Sequence, residues 1–214
     1  MLELNNISMR WDSLKANPFI KNLNLKINNG KILTIFGKSG IGKSSLINII
    51  AGVYEKNLFF SGDIILNNKI ISKALPEDRK IGLLLQDPLL FPHLTVKQNL
   101  MFGMKKKYTN IQKYNLINQS LFNADMKGYE DRYSNTLSGG QKARVACLRA
   151  ILSEPEALLL DEPFSSIDPK QRSSFRLFVI EQIRNREIPC ILVTHDESDK
   201  SISDYNPLDL KIFC

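Results

Sequence analysis

A chain of 214 residues, 43% hydrophobic and 24% charged, has enough apolar material to bury a core as one domain, and no low-complexity tract argues for disorder. No apolar run reaches the roughly 18 residues of a membrane-spanning helix, and the start MLELNNISMRW lacks the apolar stretch of a signal peptide, so a cytoplasmic protein is expected. The formal charge of +7 suits any polyanion, whether nucleic acid, lipid headgroup or nucleotide phosphate, and by itself chooses none of them.

In chain order, residues 2–11, 23–27 and 32–36 are short apolar runs broken by Asn and Gly, and they predict strands joined by turns, with a hairpin corner at Asn28, Asn29 and Gly30. After a glycine-rich loop, Leu46, Ile47, Ile49 and Ile50 recur at helical spacing up to a stop at Gly52. Residues 63–66 and 69–71 flank Asn67 and Asn68 as a second hairpin, and the run 81–85 fits a buried parallel strand. A predominantly helical stretch follows over 95–153. Residues 157–160 and 188–193 return as buried strands on either side of a helix predicted over 169–185. The pattern is an α/β core with a helical insertion. Lys105, Lys106 and Lys107 read as a solvated loop. Cys147, Cys190 and Cys214 have neither CxxC nor Cys/His spacing and read as reduced, structural thiols.

Gly37, Lys38, Ser39, Gly40, Ile41, Gly42, Lys43 and Ser44 fit GxxxxGKS directly after a strand and at the start of a helix. Glycines there let backbone N–H groups converge on phosphate oxygens, the helix N-terminus adds a positive field, Lys43 reaches the terminal phosphates and Ser44 ligates Mg²⁺. Downstream, Leu158, Leu159 and Leu160 run into Asp161 and Glu162. An apolar strand ending in two acids at a sheet edge supplies one carboxylate to the Mg²⁺ shell, Asp161, and one to polarise the water attacking a γ-phosphate, Glu162.

Leu137, Ser138, Gly139, Gly140 and Gln141 spell LSGGQ, and with the following Lys142, Ala143, Arg144 and Val145 they resemble the signature segment of ABC ATPases. The likeness continues in the family's order, with Gln86 of LLLQDP resembling the Q-loop, residues 165–168 (SSID) the D-loop and His195 of LVTHD the switch histidine. It covers nearly the whole chain. It implies a P-loop NTPase fold with a RecA-like core sheet, an antiparallel β subdomain and an inserted α-helical subdomain. One domain over 1–214 is expected, with core segments 1–87 and 156–214 and the helical insertion at 88–155. Ser45 joins the nucleotide loop, Gln86 the metal and the catalytic set, and His195 and Lys43 the catalytic set. The resemblance also implies that Ser138, Gly139, Gly140 and Gln141 act on nucleotide held by a second copy, because the signature works in trans, and that Asp168 joins the nucleotide-binding set. Adenine is expected on Trp11, whose other reading is ordinary packing of the only tryptophan against the sheet.

LFPHLTV, residues 90–96, with Gln98 and Asn99, looks like importer cassettes for thiamine, iron, sulfate, molybdate and polyamines, in which this segment faces the permease. Those phrases imply MgATP as ligand, a homodimer in the ATP state, a separate transmembrane permease and, indirectly, a periplasmic solute-binding protein. They imply a peripheral place on the cytoplasmic membrane face and no nucleic-acid partner. Exporting, lipoprotein-extracting or division-associated cassettes and soluble ABC ATPases are the alternatives. Two departures stand out: Lys38 replaces a common proline, either adding charge near the phosphates or pointing to solvent, and little chain follows His195. That remainder leaves room for a last strand over 210–213 and for no regulatory β-domain.

Overall fold

The computed structural model describes residues 1–12 and 16–213. Strands β1 (Leu2–Trp11), β2 (Ile20–Ile27) and β3 (Ile32–Phe36) lead to helix α1 (Lys43–Ala51), followed by β4 (Leu58–Leu66), β5 (Lys69–Ile70) and β6 (Ile81–Leu84). Helices α2 (Val96–Gly103), α3 (Asn110–Asn123) and α4 (Gly139–Leu152) come next. The chain closes with β7 (Ala157–Asp161), α5 (Pro169–Asn185), β8 (Cys190–Thr194) and β9 (Leu208–Asp209). An antiparallel sheet has the order β2-β1-β4-β5, and a parallel sheet the order β6-β7-β8-β3-β9.

The continuous apolar runs are explained by two cores on opposite faces of the parallel sheet. Leu158 and Leu160 of β7, with Cys190 and Leu192 of β8, pack with residues of α2, α3, α4 and α5. Their alternates Ala157, Leu159, Ile191 and Val193 pack with α1 and the antiparallel sheet. Cys147 and Cys190 are buried, and burial pushes the Cys147 thiol up to about 12 and that of Cys190 well above its ordinary value, which keeps both protonated. Cys214 lies outside the described residues.

Three expectations need correction. The corner at 28–30 is a turn but not a hairpin, because β2 pairs with β1 whereas β3 pairs with β8 and β9. A strand as apolar as ILTIF must be covered on both faces, which an antiparallel partner at the surface cannot provide. The expected strand over 210–213 is a 3-10 turn, and the edge strand β9 precedes it. Asp209 Oδ1 accepts from the Lys211 N–H at 2.9 Å, an Asx turn that takes the chain off the sheet. β2 and β4 begin earlier than predicted, because left-handed residues interrupt their alternation: Asn22 (φ 48°) in β2 and Gly62 (φ 104°) in β4. The hairpin at Asn67 and Asn68 forms, with φ of 48° and 63° as a type I′ turn requires.

Within the helical stretch, α2, α3 and α4 each start on a capping box: Thr95 with Gln98, Thr109 with Gln112, and Ser138 with Gln141. The lysine run precedes α3 at the surface, where Lys105 and Lys107 reach Glu154 at 3.4 and 2.7 Å.

Candidate functional site

β3, β7 and β8 run parallel, so their carboxyl ends meet at one edge of the sheet, where open α/β sheets place ligands. From β3 the chain enters the glycine loop and then α1. Gly42, the N-cap of α1, has φ 99°, and a Cβ there would strike the Phe19 ring at 2.7 Å, so only glycine fits. Among the described residues the other four α-helices cap their first turn with a Thr, Ser or Asp side chain; α1 has no side-chain cap and no acid in its first turn. Its unpaired N–H groups and the positive end of its dipole are left for an anion. Lys43, only 6% exposed, folds back so that Nζ donates to the carbonyls of Gly37 at 2.8 Å and Lys38 at 3.0 Å. Phosphate oxygens are stronger acceptors for that ammonium.

β7 delivers the two acids. Asp161 is 3% exposed, and its carboxyl is raised above the usual range by burial, helped by Glu162 and opposed by the Ser44 hydroxyl and Lys43. Glu162 takes a left-handed backbone (φ 50°), an unfavourable conformation for an L-residue, while its N–H still bonds Val193 O at 2.9 Å. The turn aims its carboxylate at the end of β8. There Glu162 Oε1 lies 2.7 Å from Nδ1 of His195, whose side chain is 59% exposed. Glu162 Oε2 is buried and has no hydrogen-bond partner among the described residues. A buried carboxylate oxygen without a donor is costly and calls for one that arrives with a ligand, such as a water molecule.

These parts border a cleft of about 620 Å³, within the usual range for a small-molecule site. Lys38, Ser39, Gly40, Gly42, Lys43, Ser44 and Ser45 form its floor; Gln86, Glu162 and His195 also line it. Trp11, 40% exposed, stacks on Phe19 at the cleft with ring centroids 5.6 Å apart and planes 13° apart. Gly37 and Ile41 line a neighbouring hollow, which shares Lys38 and His195 with the cleft. Lys38 is exposed, so its charge stays in solvent beside the loop.

No group of three or more His, Cys, Asp or Glu side chains is gathered among the described residues in a way that could hold a metal ion. One buried carboxylate, Asp161, beside the Ser44 hydroxyl, with Gln86 on the cleft, is a donor set that fits Mg²⁺, which keeps waters and borrows phosphate oxygens instead of needing a protein cage.

The signature residues and Asp168 do not line this cleft. Ser138 is the N-cap of α4, its Oγ accepting the Gln141 N–H at 3.3 Å, and Gln141 Nε2 donates to Tyr129 Oη at 3.1 Å. Asp168 caps α5 through Lys170 N–H at 2.9 Å. Sequence reasoning missed Phe19. Nothing in the alternation of β2, which starts one residue later, marks that ring as a neighbour of Trp11.

The ABC transporter family model matches residues 20–165. The uncharacterized ABC transporter ATP-binding protein YnjD of Escherichia coli is 38% identical over 98% of this chain and 95% of its own. The probable sulfate/thiosulfate import ATP-binding protein CysA of Chlorella vulgaris is 38% identical over 92% of this chain and 81% of its own. Among solved structures, a dimeric post-hydrolysis state of the ATP-binding cassette MJ0796, bound to ADP and Pi, aligns with a TM-score of 0.81 and 25% identity over 95% of this chain and 92% of that one. With a glycine loop ending in Lys43 and Ser44, the acids Asp161 and Glu162, and His195 brought to one sheet edge, and with these relatives, the chain belongs to the ABC transporter family as one of its ATP-binding ATPase subunits.

Proposed function

We propose that this chain energises a small-solute importer, hydrolysing MgATP in a head-to-tail pair of identical cassettes at the cytoplasmic face of a membrane. It reads as one ABC ATPase domain over 1–214, with the insertion at 88–155. The carrying observation for the chemistry is the uncapped N-terminus of α1 beside Lys43, Ser44, Asp161 and the Glu162–His195 pair. For import it is the segment after Gln86. Leu89 (59% exposed) and Phe102 (69% exposed) leave apolar surface beside Phe91, whose ring lies 4.7 Å from that of Phe102, a fit for an apolar permease element. The CysA relative, aligned over 92% of this chain, bears an import name.

In this reading adenine lies on Trp11, and the triphosphate takes the N–H groups of residues 39–45. Lys43 exchanges the Gly37 and Lys38 carbonyls for β- and γ-phosphate oxygens. Ser44, Asp161 and Gln86 would hold Mg²⁺, which supplies charge neutralisation for the leaving β-phosphate. Glu162 Oε2 accepts a hydrogen bond from the attacking water while Oε1 stays on His195. As the water oxygen bonds to the γ-phosphorus, one of its protons passes to Glu162 Oε2, the bond between that phosphorus and the β–γ bridging oxygen breaks, and ADP departs with that electron pair. The partner copy's Ser138 hydroxyl and the N–H groups of its Gly139 and Gly140 cap the γ-phosphate from the N-terminus of its α4.

The test is mass spectrometry of what copurifies with the tagged chain from detergent-solubilised native membranes. A polytopic permease in stoichiometric amount, encoded beside a solute-binding protein, is the expected result. Recovery of only soluble partners or nucleic acid would overturn the importer reading.

A further inference from the structure

Two arginines one turn apart on α5 grip both ends of the Glu162–His195 pair. Arg172 pairs with Asp196, the residue after His195, and its other terminal nitrogen approaches the Ile167 carbonyl at 3.5 Å. Arg176 pairs with Asp199 and donates to Ser198 Oγ at 3.1 Å, while its guanidinium lies 5.6 Å over the ring of Phe164, two residues after Glu162. Thr194 completes the turn: its hydroxyl donates to Asp199 at 2.8 Å and accepts the Asp196 N–H at 3.0 Å. One rigid helix therefore holds the loop leaving β7 and the turn leaving β8.

The arrangement is a poor stabiliser for its cost. Among the described residues neither Arg172 Nε nor Arg176 Nε finds a hydrogen-bond partner, although both are buried. Asp199 is 2% exposed. Desolvated guanidinium with an unmet donor returns little net stability, and an apolar side chain over Phe164 would pack more cheaply. What the pairs do supply is direction, since charge-assisted hydrogen bonds fix where a turn sits better than apolar contact does. His195 needs that, because its own ring is mostly in solvent and its contact to Glu162 must be held by its neighbours.

We propose that Arg172 and Arg176 are positioning residues that set the Glu162–His195 geometry from α5; this rests on the roles assigned to Glu162 and His195 above. The experiment measures turnover, ATP affinity and the imidazole NMR spectrum for R172M, R172K and D196N, with E162Q alongside. The chain has two histidines, so two imidazole signals are resolved and assigned by replacing His93. R172M should lower kcat by about tenfold to a hundredfold, the range a misplaced catalytic group produces, with ATP affinity changed less than about threefold. It should move or broaden the His195 signal and leave that of His93 in place. R172K, which keeps the charge, should restore most of kcat. D196N breaks the same link without touching α5 and should show the same pattern, which guards against a misfolded R172M. Wild-type kcat in folded R172M and D196N, with E162Q inactive, overturns the inference alone. So does a loss of kcat with the His195 signal unmoved. Turnover in E162Q would instead refute the site assignment, and the inference with it.

Discussion

Gly140 and Gly139 are adjacent in the signature, yet alanine at the two positions should have opposite effects on stability. A Cβ on Gly140 would lie 2.7 Å from the Ser166 carbonyl oxygen and 3.3 Å from Ile167 Cα. Ordinary C···O contacts begin near ~3.3 Å, so about 0.6 Å must be found by moving main chain. Overpacking of that kind costs about 1–3 kcal/mol, and the better helix propensity of alanine returns at most about 1 kcal/mol. The net loss for G140A is thus between about 0 and 3 kcal/mol, centred on about 1. At Gly139 the added methyl meets only Ser166 Cβ at 3.8 Å, an ordinary contact, so G139A should be neutral or stabilised by up to about 1 kcal/mol. Urea unfolding of the nucleotide-free chain reads this difference directly. Turnover of G140A at saturating MgATP should also fall, since the displaced loop lies between Glu162 and α5. Equal stabilities for the two variants would refute the close approach of α4 to that loop.

Two further outcomes follow from the geometry. W11A should weaken ATP binding about fivefold to thirtyfold, the loss of about 1–2 kcal/mol of base stacking, and W11F should retain most of it; equilibrium binding of a fluorescent ATP analogue measures both. At Glu154, burial pushes the carboxyl up, but hydrogen bonds from Lys107, Tyr108 and Lys105 outweigh it and leave the pKa lowered to about 2. A lowered carboxyl stabilises the fold above its unfolded value and loses that contribution as pH falls toward 2. Because the two lysines are 50% and 58% exposed, screening limits the effect to about 1 kcal/mol. E154Q should therefore be less stable than the parent at pH 7 by that amount, with the gap closing below about pH 4.5 in urea titrations.

The boundaries of β3 and α5 were legible because a long apolar run or a Pro-capped helix sits between strong breakers, as at Asn28–Gly30 and Asp168–Pro169. Turn residues announce that the chain turns without naming the strand that receives it, which is why the 28–30 corner read as a hairpin. The phosphate loop, the paired acids and His195 were legible as types and spacings. The left-handed backbone of Glu162 was not, nor was the lack of a hydrogen-bond partner for its Oε2 among the described residues, since both depend on where β8 places Val193 and His195. Nothing in the sequence sets Arg172 and Arg176 apart from other charges on a helix, and only burial separates them from solvated ones. Gln141 has a second role the motif hides: it closes the capping box of α4 by accepting the Ser138 N–H at 2.9 Å.

Glu162 is proposed to activate water on ATP held by the loop at 37–44, and single-turnover hydrolysis by E162Q with MgATP probes that role alone. In E162Q, nucleotide binding should stay close to wild type, phosphate release should slow by about a hundredfold or more, and light scattering should show a dimer as ATP persists between two copies. Phosphate release by E162Q at the wild-type rate would contradict that role.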